Sequence, residues 1–397
     1  MISEILALLL GIIAGTLTGL IPGIHINQVS AITLSLFPFL PFSPIVLAIF
    51  IASMSITETF TDFLPSVFLG SPEEDSALSV LPGHKMLLQG KGYEAVLITV
   101  YGSLAGVIII IFFTPLFILF LPKVYPFVQN YMFYVLILVS LILMFKEKNK
   151  ILATSIFLLA GILGVLSMNL EIKNSLIPLL TGLFGASGLT VSLIQKTKLK
   201  KQIISRPKIK FKEIIKSILP SFIASPLVSF LPALGSSQAA IISLSLKKEQ
   251  SQRQFLILLG SINTIVMGLS FVALYSINKA RTGSAVTVSS LLGNFSLAQL
   301  ILILLAGIIA AFFAAYITMF FAKVFSKNII KINYQLISLV VLIFISIITF
   351  LFSGFLGFIV YLIATCLGIF CILSNIRRTH LMGSLMVPAI LFYLPLG

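Results

Sequence analysis

The sequence predicts an all-α integral membrane protein: a polytopic bundle of about ten spanning helices plus two broken, re-entrant hairpins, arranged as an inverted-topology internal repeat. Three observations lead there. They are the composition, the continuous apolar runs with basic residues confined between them, and a self-similarity between the halves of the chain.

Of the 397 residues 59% are hydrophobic and only 9% charged, with a mean hydropathy of +1.16. A water-soluble domain carries about a quarter charged residues, so there is too little polar surface here for a soluble globule. Lipid offers backbone groups no partners, which leaves helices or a closed barrel as spanning structures. Barrel strands alternate apolar and polar residues, whereas runs such as Leu104–Leu121 and Ile337–Phe352 are unbroken. Helices are selected.

The net charge of +15 arises from 26 Lys and Arg against 11 Asp and Glu. These basic residues sit in short blocks between apolar runs, the positive-inside pattern of cytoplasmic loops, so nucleic acid is not an expected partner. Cys366 and Cys371 lie inside one apolar run with no CxxC spacing and read as packing residues. The first apolar run lacks a basic leader and a small-residue cleavage site, so it reads as a retained membrane segment.

Apolar runs of spanning length fall near 5–24, 44–69, 95–121, 126–145, 151–169, 175–195, 217–234, 255–277, 296–322, 334–352, 354–374 and 381–395. The runs 27–42 and 236–246 are short for a crossing, which needs about 20 residues. Each follows a proline break, Ile21-Pro22-Gly23 and Leu231-Pro232-Ala233, and reads as the returning limb of a hairpin; a short tilted span is the alternative. Residues 196–216 hold nine Lys or Arg, and smaller clusters lie at 146–150, 247–253, 323–331 and 377–378. All five face the cytoplasm if the hairpins return to the side they started from, which puts both termini outside a cell membrane.

Gly19–Leu36 aligns without gaps on Ser229–Leu246, matching Pro22/Pro232, Gln28/Gln238 and Leu34-Ser35-Leu36/Leu244-Ser245-Leu246. The halves become residues 1–195, with hairpin 5–42, and residues 217–397, with hairpin 217–246, joined by the basic linker 196–216. Each reads as a hairpin followed by five spans. An odd number of crossings inserts the second half upside down, an architecture of secondary transporters. Small residues at helical spacing (Gly11/Gly15/Gly19, Gly102/Gly106, Gly307/Ala311/Ala315) suit close helix packing.

Charges inside apolar runs are costly and therefore informative. Glu58 and Asp62 lie one helical turn apart in the run 44–69, with Ser55 on the same face and Thr59 one position round. Two such carboxylates resist joint ionisation unless a cation or a proton intervenes. They are the candidate site for a coupling Na+ or H+; a protonated, merely hydrogen-bonded acid is the bland alternative. At the breaks, Pro22, Gly23, His25, Asn27 and Gln28 face Pro232, Ser236, Ser237 and Gln238 as candidate substrate contacts, because interrupted helices leave polar backbone groups to be satisfied. Arg281, in the polar stretch 278–284, suits an anion, an ordinary loop charge or a counter-ion to Glu58 or Asp62. Residues 70–77 with His84 and Lys85 carry several acids and one His, but without metal-ligand spacing they read as a Pro/Gly-rich turn. No catalytic or nucleotide-binding motif is present, so neither an enzyme nor an organic cofactor is expected.

Gly19-Leu-Ile-Pro-Gly23, Leu81-Pro-Gly-His-Lys-Met-Leu-Leu-Gln-Gly-Lys-Gly-Tyr-Glu-Ala95 and Gly102-Ser-Leu-Ala-Gly106, with Phe230–Gly235 and Gly260-Ser-Ile-Asn263-Thr in the second half, resemble the large membrane subunit of tripartite tricarboxylate transporters. The departures, Pro-Ala at 232–233, Ser71-Pro-Glu-Glu-Asp75 and a single Asn263, resemble a divergent, archaeal-type branch. The resemblance implies ion-coupled uptake of a small organic anion by alternating access, with Asn263 among the substrate contacts. It also implies a small membrane subunit and an extracytoplasmic binding protein as partners. A flippase for a polyisoprenyl-phosphate lipid and a non-transporting membrane scaffold are the rival functions.

Overall fold

The structure, a computed structural model, describes residues 2–21, 26–39, 41–70, 78, 80–172, 174–194, 199–207, 209, 211–231, 235–245, 251–293, 295–329 and 334–394. Among them there is no strand. The first hairpin is α1 (Ile2–Leu20) and α2 (Ile26–Leu36). Then α3 (Pro44–Thr61) and α4 (Phe63–Phe68) form one 25-residue apolar track, interrupted at Asp62. Pro65 has no N–H to give, and its ring crowds the carbonyl four residues back, at Thr61, so the helical ladder breaks there. A short α5 (Val80–Leu88) leads into α6 (Gly92–Phe145), followed by α7 (Lys150–Asn169), α8 (Leu176–Leu180), a π-helical turn over 181–186 and α9 (Ser187–Ile194).

The second hairpin is α10 (Phe211–Ser229) and α11 (Ser236–Ser245). After it come α12 (Gln252–Ile277), α13 (Gly283–Leu292), α14 (Leu297–Asn328), α15 (Tyr334–Leu373) and α16 (Gly383–Phe392). Capping boxes start α12 and α14: Ser251 pairs reciprocally with Gln254, and Ser296 with Gln299.

Contacts at the helix ends fix which ends share a side. Arg253 at the start of α12 pairs with Glu94 at the start of α6 at 2.5 Å. Gln202 of the basic linker accepts from the Gly92 N–H at 2.9 Å. At the far end of α6, Lys146 donates to the Leu244 and Ser245 carbonyls that close α11, and Glu147 pairs with Arg377 and His380. Phe325, near the end of α14, stacks edge-on against Phe68 at 5.6 Å. The basic segments that are described therefore gather at one end of the molecule.

Both ends of the 54-residue α6 lie at this basic end. A straight helix of that length would reach about 80 Å, so α6 folds back on itself, at the stretch carrying Pro115, Pro122 and Pro126. The two runs expected at 95–121 and 126–145 are its limbs. Likewise α15 turns at Gly354, whose φ of +69° suits only glycine, and the hydroxyls of Ser346 and Tyr361 meet across the two limbs at 2.9 Å. The run 381–395 differs from a full crossing. It holds a 3₁₀ turn at Arg378–Met382 and the ten-residue α16, about 15 Å long and half a bilayer deep. Arg378 donates to the Leu183 and Phe184 carbonyls that the π-helical turn frees, and to the Ser187 hydroxyl.

Glycines set the closest approaches. A Cβ at Gly11, Gly15 or Gly19 of α1 would lie 2.5 Å or less from an atom of α3, and the matched order of these contacts makes α1 and α3 parallel. Gly102 and Gly106 of α6 and Gly260 and Gly268 of α12 interlock in the same way, again in parallel. Since α3 runs toward the basic end and α12 away from it, these two most enclosed helices are antiparallel. Around them α3 also packs on α14, and α7 on α16 through Gly161 and Gly164. The expected Gly307 stripe makes a looser contact, 3.2 Å from the Ile56 side chain. Gly102→Ala, whose Cβ would sit 2.1 Å from the Ile257 carbonyl oxygen, is expected to cost about 1–3 kcal/mol and to lower the melting temperature of the detergent-solubilised protein by several degrees. Gly307→Ala should leave it nearly unchanged.

Candidate functional site

The polar groups expected to matter gather where the first hairpin, α3 and α12 meet. The break at Asp62 leaves that acid 3% exposed, facing α12. There the Asn263 side-chain amide donates to Asp62 Oδ2 at 2.8 Å. The Asn263 carbonyl oxygen lies 3.5 Å from the Ser236 hydroxyl, a long contact at the first residue of α11. One turn away, the hydroxyls of Thr59 and Thr264 meet at 3.2 Å, and Ser55 donates to Ser284 on α13 at 2.9 Å. Three polar contacts thus cross from α3 to the second half of the chain.

Glu58 points elsewhere. Its Oε2 accepts from the Thr18 hydroxyl at 2.5 Å, in the last turn of α1, and its Oε1 accepts from the Ile26 N–H at 3.3 Å, the first residue of α2. Among the described residues, the two acids expected to act as a pair have different partners, Glu58 within the first hairpin and Asp62 across the halves. A carboxylate suits the α2 position, because a helix start presents unsatisfied N–H groups and the positive end of its dipole.

Gln238 returns its side-chain oxygen to the Gly235 N–H at 2.7 Å, closing the start of α11, and Ser237 beside it is buried. Pro22, Gly23, His25 and Pro232 lie outside the described residues, as do the side chains of Asn27 and Gln28, although both of these fall in α2. Arg281 is half-buried on the loop between α12 and α13, close enough to Tyr393 to act on it electrostatically. The Thr282 hydroxyl beside Arg281 caps α13 and meets Ser270 at 3.1 Å. His84 is not in a turn: it lies in α5, with Nδ1 2.9 Å from the Val67 carbonyl oxygen. Acids 73–75 lie outside the described residues.

Sequence reasoning missed Thr18, Thr264 and Ser284. Each stands near other hydroxyl or polar residues that offer as good a candidate, and only the pairing of helices distant in sequence shows what it faces.

These features define a polytopic, all-helical membrane protein in which two broken hairpins flank a buried acid–amide contact. The chain belongs to the tripartite tricarboxylate transporter TctA family, whose model matches residues 5–383. It is also similar to the uncharacterized protein MJ1079 of Methanocaldococcus jannaschii, at 30% identity over 405 residues, covering 98% of this chain and 99% of that protein. That likeness fits the divergent, archaeal-type branch expected from the motifs. No solved structure matches the chain.

The acid–amide contact is testable by itself. Asn263→Leu removes the donor from a buried carboxylate, and a hydrogen bond to a charged group contributes about 1.5–3 kcal/mol. Asp62→Asn, Asn263→Leu and the double variant are expected to show a coupling energy of about that size in thermal or denaturant unfolding.

Proposed function

We propose that this chain is the membrane permease of an ion-coupled secondary transporter, moving a small organic anion by alternating access between two inverted repeats, residues 1–195 and 217–397. The observation that carries the reading is the opposed arrangement of the hairpins. The first starts and returns at the end far from the basic segments, and the second at the basic end. Their inner ends approach the antiparallel α3 and α12 around Asp62 and Asn263. The crossed packing is what a two-fold exchange of halves produces: α3 with α14 as α12 with α6, and α7 with α16 as α9 with α15. Broken helices aimed at one interior site are the transporter solution to binding a charged solute in lipid.

In this reading the starts of α11 and α13 present amide dipoles to the anion. Asn263, Ser236, Ser237 and Gln238, with the residues of the first break, orient it, and Arg281 adds positive charge from the side. Asp62 holds the coupling Na+ or H+, assisted by Ser55 and Thr59; its burial makes an uncompensated charge costly, which gives a cation or proton its hold. The basic end faces the cytoplasm of the cell membrane. Membership of a tripartite family supports a small membrane subunit and an extracytoplasmic binding protein as partners.

Asp62→Asn keeps the shape and removes the charge. In proteoliposomes, gradient-driven accumulation of a carboxylate substrate is expected to collapse while binding partly survives. Full accumulation with unaltered Na+ and pH dependence would overturn the assignment. A non-transporting scaffold would show no accumulation in the unaltered protein either.

A further inference from the structure

We infer that Glu58 is the clasp of the first hairpin: a positioning residue whose carboxylate ties the two limbs together across the break and so controls opening toward the side away from the basic end. The consequence for transport rests on the alternating-access reading, but the clasp itself does not.

The geometry is that of a bridge. One carboxylate oxygen takes the Thr18 hydroxyl, in the last turn of α1, and the other takes the Ile26 N–H at the start of α2. The sequence between Ile21 and Ile26 includes Gly23 and Pro22, and a proline has no N–H to give to a helical ladder. Glu58 stands on α3, which is locked to α1 by Gly11, Gly15 and Gly19 and by the Thr61 hydroxyl donating to the Gly15 carbonyl at 3.1 Å. With α1 and α3 forming one rigid unit, the bond from Glu58 to Ile26 fastens α2 to that unit at the break. Farther out, α1 and α2 diverge: a cavity of about 200 Å³ lies between them and α3, lined by Leu6, Leu10, Thr33 and Leu36 among others. The limb α2 is thus fastened to the α1–α3 unit at its inner end and separated from it by the cavity farther out, where Leu34 packs instead on the apolar cluster that includes Ala285, Val288 and Leu291 of α13.

The second hairpin is built differently. There the start of α11 is closed by the neutral amide of Gln238, and the α10 limb carries buried Ser217, Ser221, Ser225 and Ser229 where α1 has Ala7, Gly11, Gly15 and Gly19. Ser221 accepts from Ser261 of α12 at 2.8 Å. Among the described residues the first hairpin is held by a carboxylate and the start of the second by a neutral amide, so the charge on Glu58 acts on one side of the transport cycle. Hydrogen bonds to an ionised acceptor are roughly twice as strong as neutral ones. Neutralising Glu58 weakens both arms of the clasp together.

The test uses buried reporter positions in the full chain, with Cys366 and Cys371 replaced by serine. Ile26→Cys keeps the backbone N–H and reports on the first hairpin, and Ala239→Cys reports on the second; both native side chains are fully buried. Thr18→Val removes one arm without touching the charge, and Glu58→Gln removes the charge without changing the shape. Glu58→Gln, which weakens the bond to Ile26 itself, is expected to raise the labelling rate of the thiol at position 26 by a membrane-impermeant maleimide about tenfold, from the side away from the basic end, and Thr18→Val, which only frees the carboxylate within the α1–α3 unit, by less, with the rate at position 239 unmoved in both. Glu58→Asp should restore part of the protection. Unchanged labelling at position 26 in both variants would overturn the clasp, and so would an equal rise at positions 26 and 239, which signifies general loosening. Because labelling needs no substrate, failure of the transport reading would leave this result standing. Lost transport with unmoved labelling would remove the clasp alone.

Discussion

Within lipid every backbone amide and carbonyl needs a partner from the protein, because the solvent supplies none. A helix start or end inside lipid leaves several unsatisfied groups at once, and in this chain α2 and α11 both start among buried polar side chains. The rest of the structure follows from satisfying those ends. Glu58 and Thr18 serve the first break, Gln238 closes the start of α11, and Asn263 joins Asp62 to the approach of α11. The hydroxyl pairs Thr59–Thr264 and Ser55–Ser284 continue the same polar line between the halves.

Such a line is tolerable only if the helices that carry it are held firmly, and the glycine contacts supply that hold. Backbone-close packing joins α1 to α3 and α6 to α12, with approaches no side chain would fit. The closely packed helix pairs are joined to one another by the apolar core that α3, α6, α12 and α14 share and by this line of polar contacts. Dispersion keeps the pairs intact, while the polar contacts between them are individually worth a few kcal/mol at most.

Much of this was legible in the residues. Composition and apolar runs gave the membrane class, and the basic segments that the structure describes do gather at one end. The runs after the proline breaks at 22 and 232, expected to be too short for a crossing, are the short helices α2 and α11, of 11 and 10 residues. The buried acids were found because charge is rare in such runs. What stayed hidden depended on neighbours distant in sequence. Spacing put Glu58 and Asp62 on one helix face, but the kink from Pro65 and the positions of α2 and α12 give them separate partners. The role of Thr18 had no sequence signal, because it requires knowing that α1 and α3 run parallel. Arg378 read as a cytoplasmic charge, yet it also satisfies carbonyls freed by a π-helical turn that nothing in Thr181–Ala186 announces. The polar stretch from Leu81 read as a turn because of Pro82 and Gly83. It is a helix because Pro82 sits in the first turn of α5, where a missing N–H costs nothing.

The proposed transport cycle requires the two hairpins to start from opposite sides of the membrane, which sided labelling of their outer ends reads out. In a background lacking Cys366 and Cys371, Leu36→Cys marks the outer end of the first hairpin and Ser245→Cys that of the second, with Lys200→Cys marking the basic linker. A membrane-impermeant maleimide applied to right-side-out vesicles should label position 36 alone, and applied to inverted vesicles it should label positions 245 and 200. Labelling of positions 36 and 245 from the same side would contradict the opposed hairpins and the transport mechanism built on them.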